Sequence, residues 1–191
     1  VTGVQTCALP ISLDERRAWY RYHHLLADTL RHRLQQTAPQ RVADLHWRAS
    51  RWYEQAGDVE QAMYHAQALP RPDRAVHLLE QYGSQLIDSG RIDTLRQWLA
   101  HIPEVVLVNR TMLCVGAGWA AVLTGHVAAA ERYIAAGEQA LDTFEPFRMA
   151  PTGRVVTREE MRGDLMALRA YCARMREDWP GVVRYSQQAL A

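Results

Sequence analysis

SRWYEQAGDVEQA at residues 50–62, GSQLIDSGRIDTL at residues 83–95 and GWAAVLTGHVAAA at residues 118–130 share one frame. In each, a small residue (Ser50, Gly83, Gly118) stands seven positions before a glycine (Gly57, Gly90, Gly125). An apolar residue (Ala62, Leu95, Ala130) stands five positions after that glycine. Seven residues make about two helical turns, so the small residue and the turn lie on nearly one side of the same helix. A small side chain there lets a partner helix approach closely. The glycine punctuates two apolar-periodic segments and marks a helix–turn–helix unit. A fourth copy has drifted to Ala170, Glu177 and Val182. A recurrence of this length is the mark of stacked helical hairpins.

Working outward, the apolar pattern predicts helix pairs over 41–55 with 59–68, 74–89 with 92–101, 111–124 with 127–142, and 158–176 with 181 to the end. Thr157 and Glu160 have the spacing of a capping box for the last pair. Residues 143–156 hold Phe144, Pro146, Phe147, Pro151 and Gly153 and read as a long, Pro-broken loop, functional or mobile. Residues 111–130 lack Lys, Arg, Asp and Glu and are long enough to cross a bilayer. Thr124, Gly125 and His126 interrupt that run, and much of it is Ala and Gly, so a buried hairpin is expected instead.

Composition narrows the chemistry. The chain has 191 residues, a formal net charge of +1 and 48% hydrophobic residues. No global field steers it to nucleic acid or membrane. All 22 basic residues are Arg. Without Lys there is no Walker A loop and no Schiff base. Three cysteines (Cys7, Cys114, Cys172) without close spacing argue against a disulfide framework and for a reducing, cytoplasmic setting. No CxxC, HxxxH or HExxH occurs, so no metal site is expected. Residues 1–11, VTGVQTCALPI, read as a translated sequencing adapter and are set aside from the fold. Both ends read as truncations of a longer protein.

Ahead of the hairpins, residues 19–34 read WYRYHHLLADTLRHRL. An aromatic-basic strand ends in His23 and His24 and runs into an amphipathic helix. Leu25, Leu26, Thr29, Leu30 and Leu34 share one face of it. Residues 11–13 and 18–22 are expected to be two short strands around a polar turn of Asp14, Glu15, Arg16 and Arg17. The competing reading is a helix capped by Ser12 and Glu15.

This strand–His–helix element followed by hairpins resembles the MalT-like, LuxR-family transcriptional regulators of the STAND ATPase class. The hairpin frame itself is similar to a degenerate tetratricopeptide repeat. Only Tyr53 fills that repeat's aromatic position, where the other copies carry Leu86, Ala121 and Ala173. The resemblance implies an all-α, right-handed superhelix of tetratricopeptide-like hairpins (residues 39–191). The end of a winged-helix domain (residues 12–38) precedes it as a small β-hairpin remnant. It further implies a bacterial, inducer-responsive activator in which effector binding is coupled to nucleotide-gated self-association. ATP or ADP would be held by the intact parent, and DNA would be read by a C-terminal helix-turn-helix that this segment lacks. The competing function is a tetratricopeptide scaffold that binds a peptide or protein partner without a nucleotide switch.

Site residues follow from the same resemblance. In STAND proteins a His at this point, often within Met-His-Asp, reads the β-phosphate of ADP. The corresponding string here is Tyr22-His23-His24, which makes His23 the nucleotide-sensing candidate and departs from the motif at His24. The two adjacent His side chains are expected to diverge, as neighbours on a regular element do. Registering the repeats puts Trp47, Arg51, Trp119 and Tyr171 on the groove face as effector contacts, and leaves Trp52 and Trp98 for packing. Arg16, Arg17 and Arg21 form a basic cluster that reads as a solvated turn rather than a DNA contact. Paired carboxylates such as Glu159 and Glu160 do not face each other on a helix, and no active site is expected.

One prediction follows directly. The chain purified alone is expected neither to hydrolyse ATP nor to bind DNA with sequence preference. Steady ATP turnover co-eluting with the protein through gel filtration would refute the resemblance.

Overall fold

The computed structural model describes residues 11–12 and 20–190, with side chains from residue 22 onward. Two compact units divide at Arg48 and Ala49, inside the second helix. In the first unit, β1 (Ile11–Ser12) and β2 (Tyr20–Arg21) pair antiparallel, Ile11 opposite Arg21 and Ser12 opposite Tyr20. The expected strand pair is therefore present, two residues long on each side. The expected turn of Asp14 to Arg17 lies outside the described residues, as does the adapter-like stretch. Helix α1 (His24–Thr37) follows at once. It buries none of its residues: Leu26 and Leu34 are half-buried, while Leu25 and Leu30 are exposed. The apolar face read from the sequence is thus only partly covered.

The second unit is built of hairpins. From Ala49 onward helix α2 (Pro39–Gln55) pairs with α3 (Val59–Gln67), and α4 (Asp73–Asp88) pairs with α5 (Ile92–Leu99). After a one-turn helix α6 (Glu104–Leu107), which the sequence pattern does not reveal, α7 (Thr111–Leu123) pairs with α8 (Val127–Leu141). A final pair is α9 (Arg158–Met175) with α10 (Trp179–Ala189). The all-α hairpin array expected from the frame is what the chain adopts. Among the described residues no helix is long and apolar enough to cross a membrane. The uncharged run at 111–130 breaks at Thr124 to His126 into α7 and α8, as expected.

Each first helix stops in the same way. Gly57, Gly90 and Gly125 have φ of +83°, +71° and +83°, and Glu177 takes the same left-handed conformation at φ +60°. In the first copy Gly57 N–H donates to Glu54 O and Asp58 N–H to Tyr53 O. Gly90 with Arg91, Gly125 with His126 and Glu177 with Asp178 repeat that pair of bonds. This is the Schellman closure, in which a left-handed residue lets two N–H groups satisfy the last free carbonyls of a helix. Asp58 and Asp178 then cap the second helices by accepting from Gln61 N–H and Gly181 N–H, 3.1 Å each. Thr157 and Glu160 form the predicted capping box on α9.

The small position is buried in all four copies, but for different reasons. A Cβ on Gly118 would stand 2.9 Å from Leu168 Cδ1 of α9. The close approach is therefore made with the next hairpin's first helix, not with the paired helix as the frame suggests. At Gly83 a Cβ would meet only Leu95, at 3.9 Å, an ordinary contact. Ser50 uses its hydroxyl instead. It donates to Ala62 O at 2.8 Å and accepts from Arg74 Nε at 2.9 Å. Arg74 Nη2 also donates to Ser50 O and to Glu54, tying α2, α3 and α4 together. The Arg74 and Glu54 side chains are only 11% and 16% exposed, so this is an ion pair largely removed from water. His77 closes on the other Glu54 oxygen at 3.4 Å.

Helix α7 is the hub. It packs on α4, α5, α8 and α9, and it buries residues around its whole circumference, from Thr111 and Leu113 to Val122. That explains why its sequence carries no charge. Residues 143–156 are not a plain loop. Phe147–Arg148 (β3) pairs antiparallel with Val155–Val156 (β4), and the turn is closed by Met149 N–H to Arg154 O and Gly153 N–H to Met149 O, 2.8 Å each. Met149 and Val156 pack with Leu141 of α8, Met112 of α7 and Met161 of α9. Pro151-Thr152-Gly153 followed by Val155-Val156 is the sequence signal of that hairpin, a turn ahead of a β-branched run.

Two stability predictions test this packing. Gly118→Leu is expected to overpack the α7–α9 contact and cost about 1–3 kcal/mol, read as a lower urea midpoint. Glu177→Gly is expected to stabilise by roughly 1 kcal/mol, because glycine adopts the left-handed turn without the Cβ penalty. An unchanged midpoint for Glu177→Gly would show that the fourth turn is not built like the first three.

Candidate effector pocket

Helices α4, α7 and α9 each contribute to a concave pocket of about 530 Å³ in the second unit. Its apolar wall comes from Leu79 and Ile87 of α4, Leu95 of α5, and Leu113 and Trp119 of α7. Gly116 of α7 borders it, and a Cβ there would meet nothing within 4 Å, so the missing side chain leaves room in the pocket. Gly83, a small residue of the hairpin frame, borders the pocket as well.

The 147–156 hairpin changes the character of this pocket. Its tip returns to α4, where Ala150 N–H donates to the side chain of buried Gln81, 69 positions earlier in the chain. The hairpin packs on α7 and α9 through Met149 and Val156, and Arg154 beyond its turn lines the pocket. Arg158 Nη2 holds the base of the insert by donating to Asp142 O and Phe144 O at 3.0 and 3.2 Å.

Three charges line the pocket: Asp88, Arg154 and Asp164. Arg154 Nη1 lies 3.7 Å from Glu160 Oε1. The Asp164 carboxyl is pushed up from the usual range, chiefly by burial, with Arg154 opposing the rise and Glu160 adding to it. An upward shift means that the charged form is under-compensated where it sits.

Of the residues singled out from the sequence, Trp119 lines this pocket and Tyr171 meets it edge-to-face, ring centroids 5.7 Å apart. Arg174 covers the Tyr171 ring at 4.7 Å. Arg51 is exposed on α2 and is not among the lining residues, and Trp47, also exposed, belongs to the first unit. The structure therefore brings together two of the four groove residues. Trp98 is buried as expected, but Trp52 is 49% exposed and does not belong to the core assigned to it. Arg154, Asp164 and Asp88 were not legible as a site, because three separate elements bring them together.

His23 precedes α1 with φ −53° and ψ 138°, an extended residue at a helix start. Its ring lies 4.2 Å from that of His24, tilted by 34°. The expected divergence of the two rings does not occur, because His23 stands outside the helix and its extended backbone turns the ring back onto its neighbour. Buried His23 Nδ1 has no hydrogen-bond partner among the described residues. Arg16, Arg17 and the Arg21 side chain lie outside the described residues. Cys114 and Cys172 are free and buried, and burial pushes the Cys114 thiol up to about 12, so it is inert at neutral pH. Among the described residues no cluster suited to a metal ion occurs.

Comparison with known proteins agrees with this layout. The MalT winged helix domain matches residues 5–42. Serine/threonine-protein kinase PknK of Mycobacterium tuberculosis is 34% identical over 149 residues, 78% of this chain and 12% of the relative. The HTH-type transcriptional regulators MalT of Vibrio parahaemolyticus and Vibrio cholerae are each 28% identical over 109 residues, 57% of this chain and 12% of each relative. The chain thus spans about an eighth of the length of the relatives it matches. No solved structure matches it. The chain is thus similar to the MalT-like regulators, with a match to the MalT winged helix domain at its N-terminus ahead of an array of helical hairpins.

Proposed function

We propose that this segment is the regulatory arm of an inducer-responsive, ATP-dependent LuxR-family activator, coupling effector binding to nucleotide-gated self-association. The observation that carries the reading is the juxtaposition of a MalT-type winged helix with a hairpin array that holds a bounded pocket. The insert at 147–156 favours a small effector over an extended peptide. A tetratricopeptide scaffold needs an open groove along its first helices, and here a β-hairpin bridges from α9 and α7 back to α4.

The second element of the proposal is His23. Its Nδ1 lacks a hydrogen-bond partner among the described residues, and it sits where α1 presents its first, unbonded N–H groups. A helix N-terminus with a free imbalance of donors suits a phosphate, and an imidazole adds one more donor. In the intact parent, His23 donating to the β-phosphate of ADP would hold the closed form, and loss of that bond would favour opening. The neighbouring His24 ring, 4.2 Å away, would help to fix the His23 ring.

A second output is supported by the 34% identity to a serine/threonine-protein kinase, which is higher than the identity to the transcriptional regulators. In that reading the same arm controls a kinase domain. The flanking coding sequence separates the two: a helix-turn-helix supports the activator, and kinase catalytic motifs support the second output.

The switch is testable in the intact activator. His23→Ala is expected to raise basal reporter output without inducer. A hydrogen bond to a charged group contributes about 1.5–3 kcal/mol, so the closed-to-open ratio should shift by about ten- to a hundredfold. Wild-type reporter output together with a wild-type ADP dissociation rate would reduce His23 to a structural residue.

A further inference from the structure

The effector pocket has a chemical bias that the family reading does not supply. Its wall is apolar, from Leu79 and Ile87 to Leu113 and the Trp119 indole. Its charged lining is unbalanced. Two carboxylates, Asp88 of α4 and Asp164 of α9, face it with one guanidinium, Arg154. That guanidinium is already shared, since Glu160 Oε1 lies 3.7 Å from it. Asp88 has no ion pair among the described residues. Each positive charge at the rim is therefore spoken for, while negative charge is left over beside a partly dehydrated wall.

An anionic ligand would have to displace Glu160 from Arg154 and sit against Asp164. A neutral ligand would leave Asp164 desolvated and under-compensated, which is costly in a partly buried setting. A cation relieves both conditions at once. We propose that the pocket takes an organic cation, a protonated amine on an apolar or aromatic body. The ammonium would lie at the Asp164 and Asp88 carboxylates and the body against Trp119 and the α4 wall of Leu79 and Ile87. The upward shift of the Asp164 carboxyl agrees with a site that awaits a positive partner. The aromatic body suits the edge-exposed Trp119, which Tyr171 braces from behind. A volume near 530 Å³ admits a bicyclic amine with room for bound water.

This inference rests on the effector-pocket part of the proposed function, and its test separates the two. The 191-residue chain is titrated by calorimetry with tryptamine, indole-3-ethanol and indole-3-propionate, which share a ring and differ in charge. Tryptamine is expected to bind one per chain and about tenfold or more tighter than the alcohol, with the propionate weakest. Asp164→Asn should weaken tryptamine by about ten- to a hundredfold and leave the alcohol unchanged. Gly116→Leu, which fills the open space on α7, should weaken amine and alcohol alike. Circular dichroism of each variant checks that it folds. Equal affinity for all three probes, a preference for the propionate, or an unaltered Asp164→Asn overturns the cation while leaving a small-molecule pocket. Absence of binding by all three overturns the pocket itself. Neither result touches the His23 switch, which the reporter experiment decides.

Discussion

The left-handed closure at the end of each first helix is the constraint on which the rest depends. Gly57, Gly90, Gly125 and Glu177 turn the chain with the same two backbone bonds, and each second helix starts two residues later. That fixed reversal sets which side of every first helix faces its neighbours. It buries Ser50, Gly83, Gly118 and Ala170 together with Ala62, Leu95 and Ala130. Glycine satisfies the turn without strain in three copies. The fourth holds a non-glycine residue in the same conformation, because the packing of α9 against α10 and the Asp178 cap over-determine it. Gly181 serves that cap: a Cβ there would collide with Asp178 Oδ2.

Within this regular scheme the copies have diverged in what the small position does. Gly118 admits Leu168 of the following hairpin, whereas Ser50 replaces close approach with a polar lock to Ala62 and Arg74. Glu54 completes that lock, and removal of one partner of such a buried pair leaves an uncompensated charge worth about 3–5 kcal/mol. The first hairpin is thereby joined to the second by directional bonds, and the third to the fourth by apolar contact supplemented by a bidentate Arg169–Glu138 pair at 2.8 and 2.7 Å. The two modes differ in their response to change: polar locks tolerate little rearrangement, while apolar contacts can slide.

The insert between α8 and α9 gives the array a bounded pocket. Stacked helical hairpins by themselves offer a continuous groove. A β-hairpin anchored on Gln81 of α4 and packed on Met112 and Met161 covers part of it and carries Arg154 to the lining.

The sequence determined the repeat. The small–turn–apolar frame, the four turn positions, the paired helices and the Thr157–Glu160 capping box were legible because each rests on local backbone chemistry and apolar periodicity. It also carried the resemblance to MalT-like regulators, through residues 19–34 and the hairpins after them. Tertiary structure decided the site. Asp88, Arg154 and Asp164 stand on three elements, and only the packing of α4, α7 and α9 with the hairpin brings them to one pocket. It likewise decided that Ser50 bonds to Arg74 rather than making room, that Trp52 is exposed while Trp98 is buried, and that the His23 ring lies tilted against His24. Periodicity reports which face of a helix is apolar. It cannot report which distant side chain meets that face, because that is set by the reach of the intervening chain and by the volumes that fill the space between.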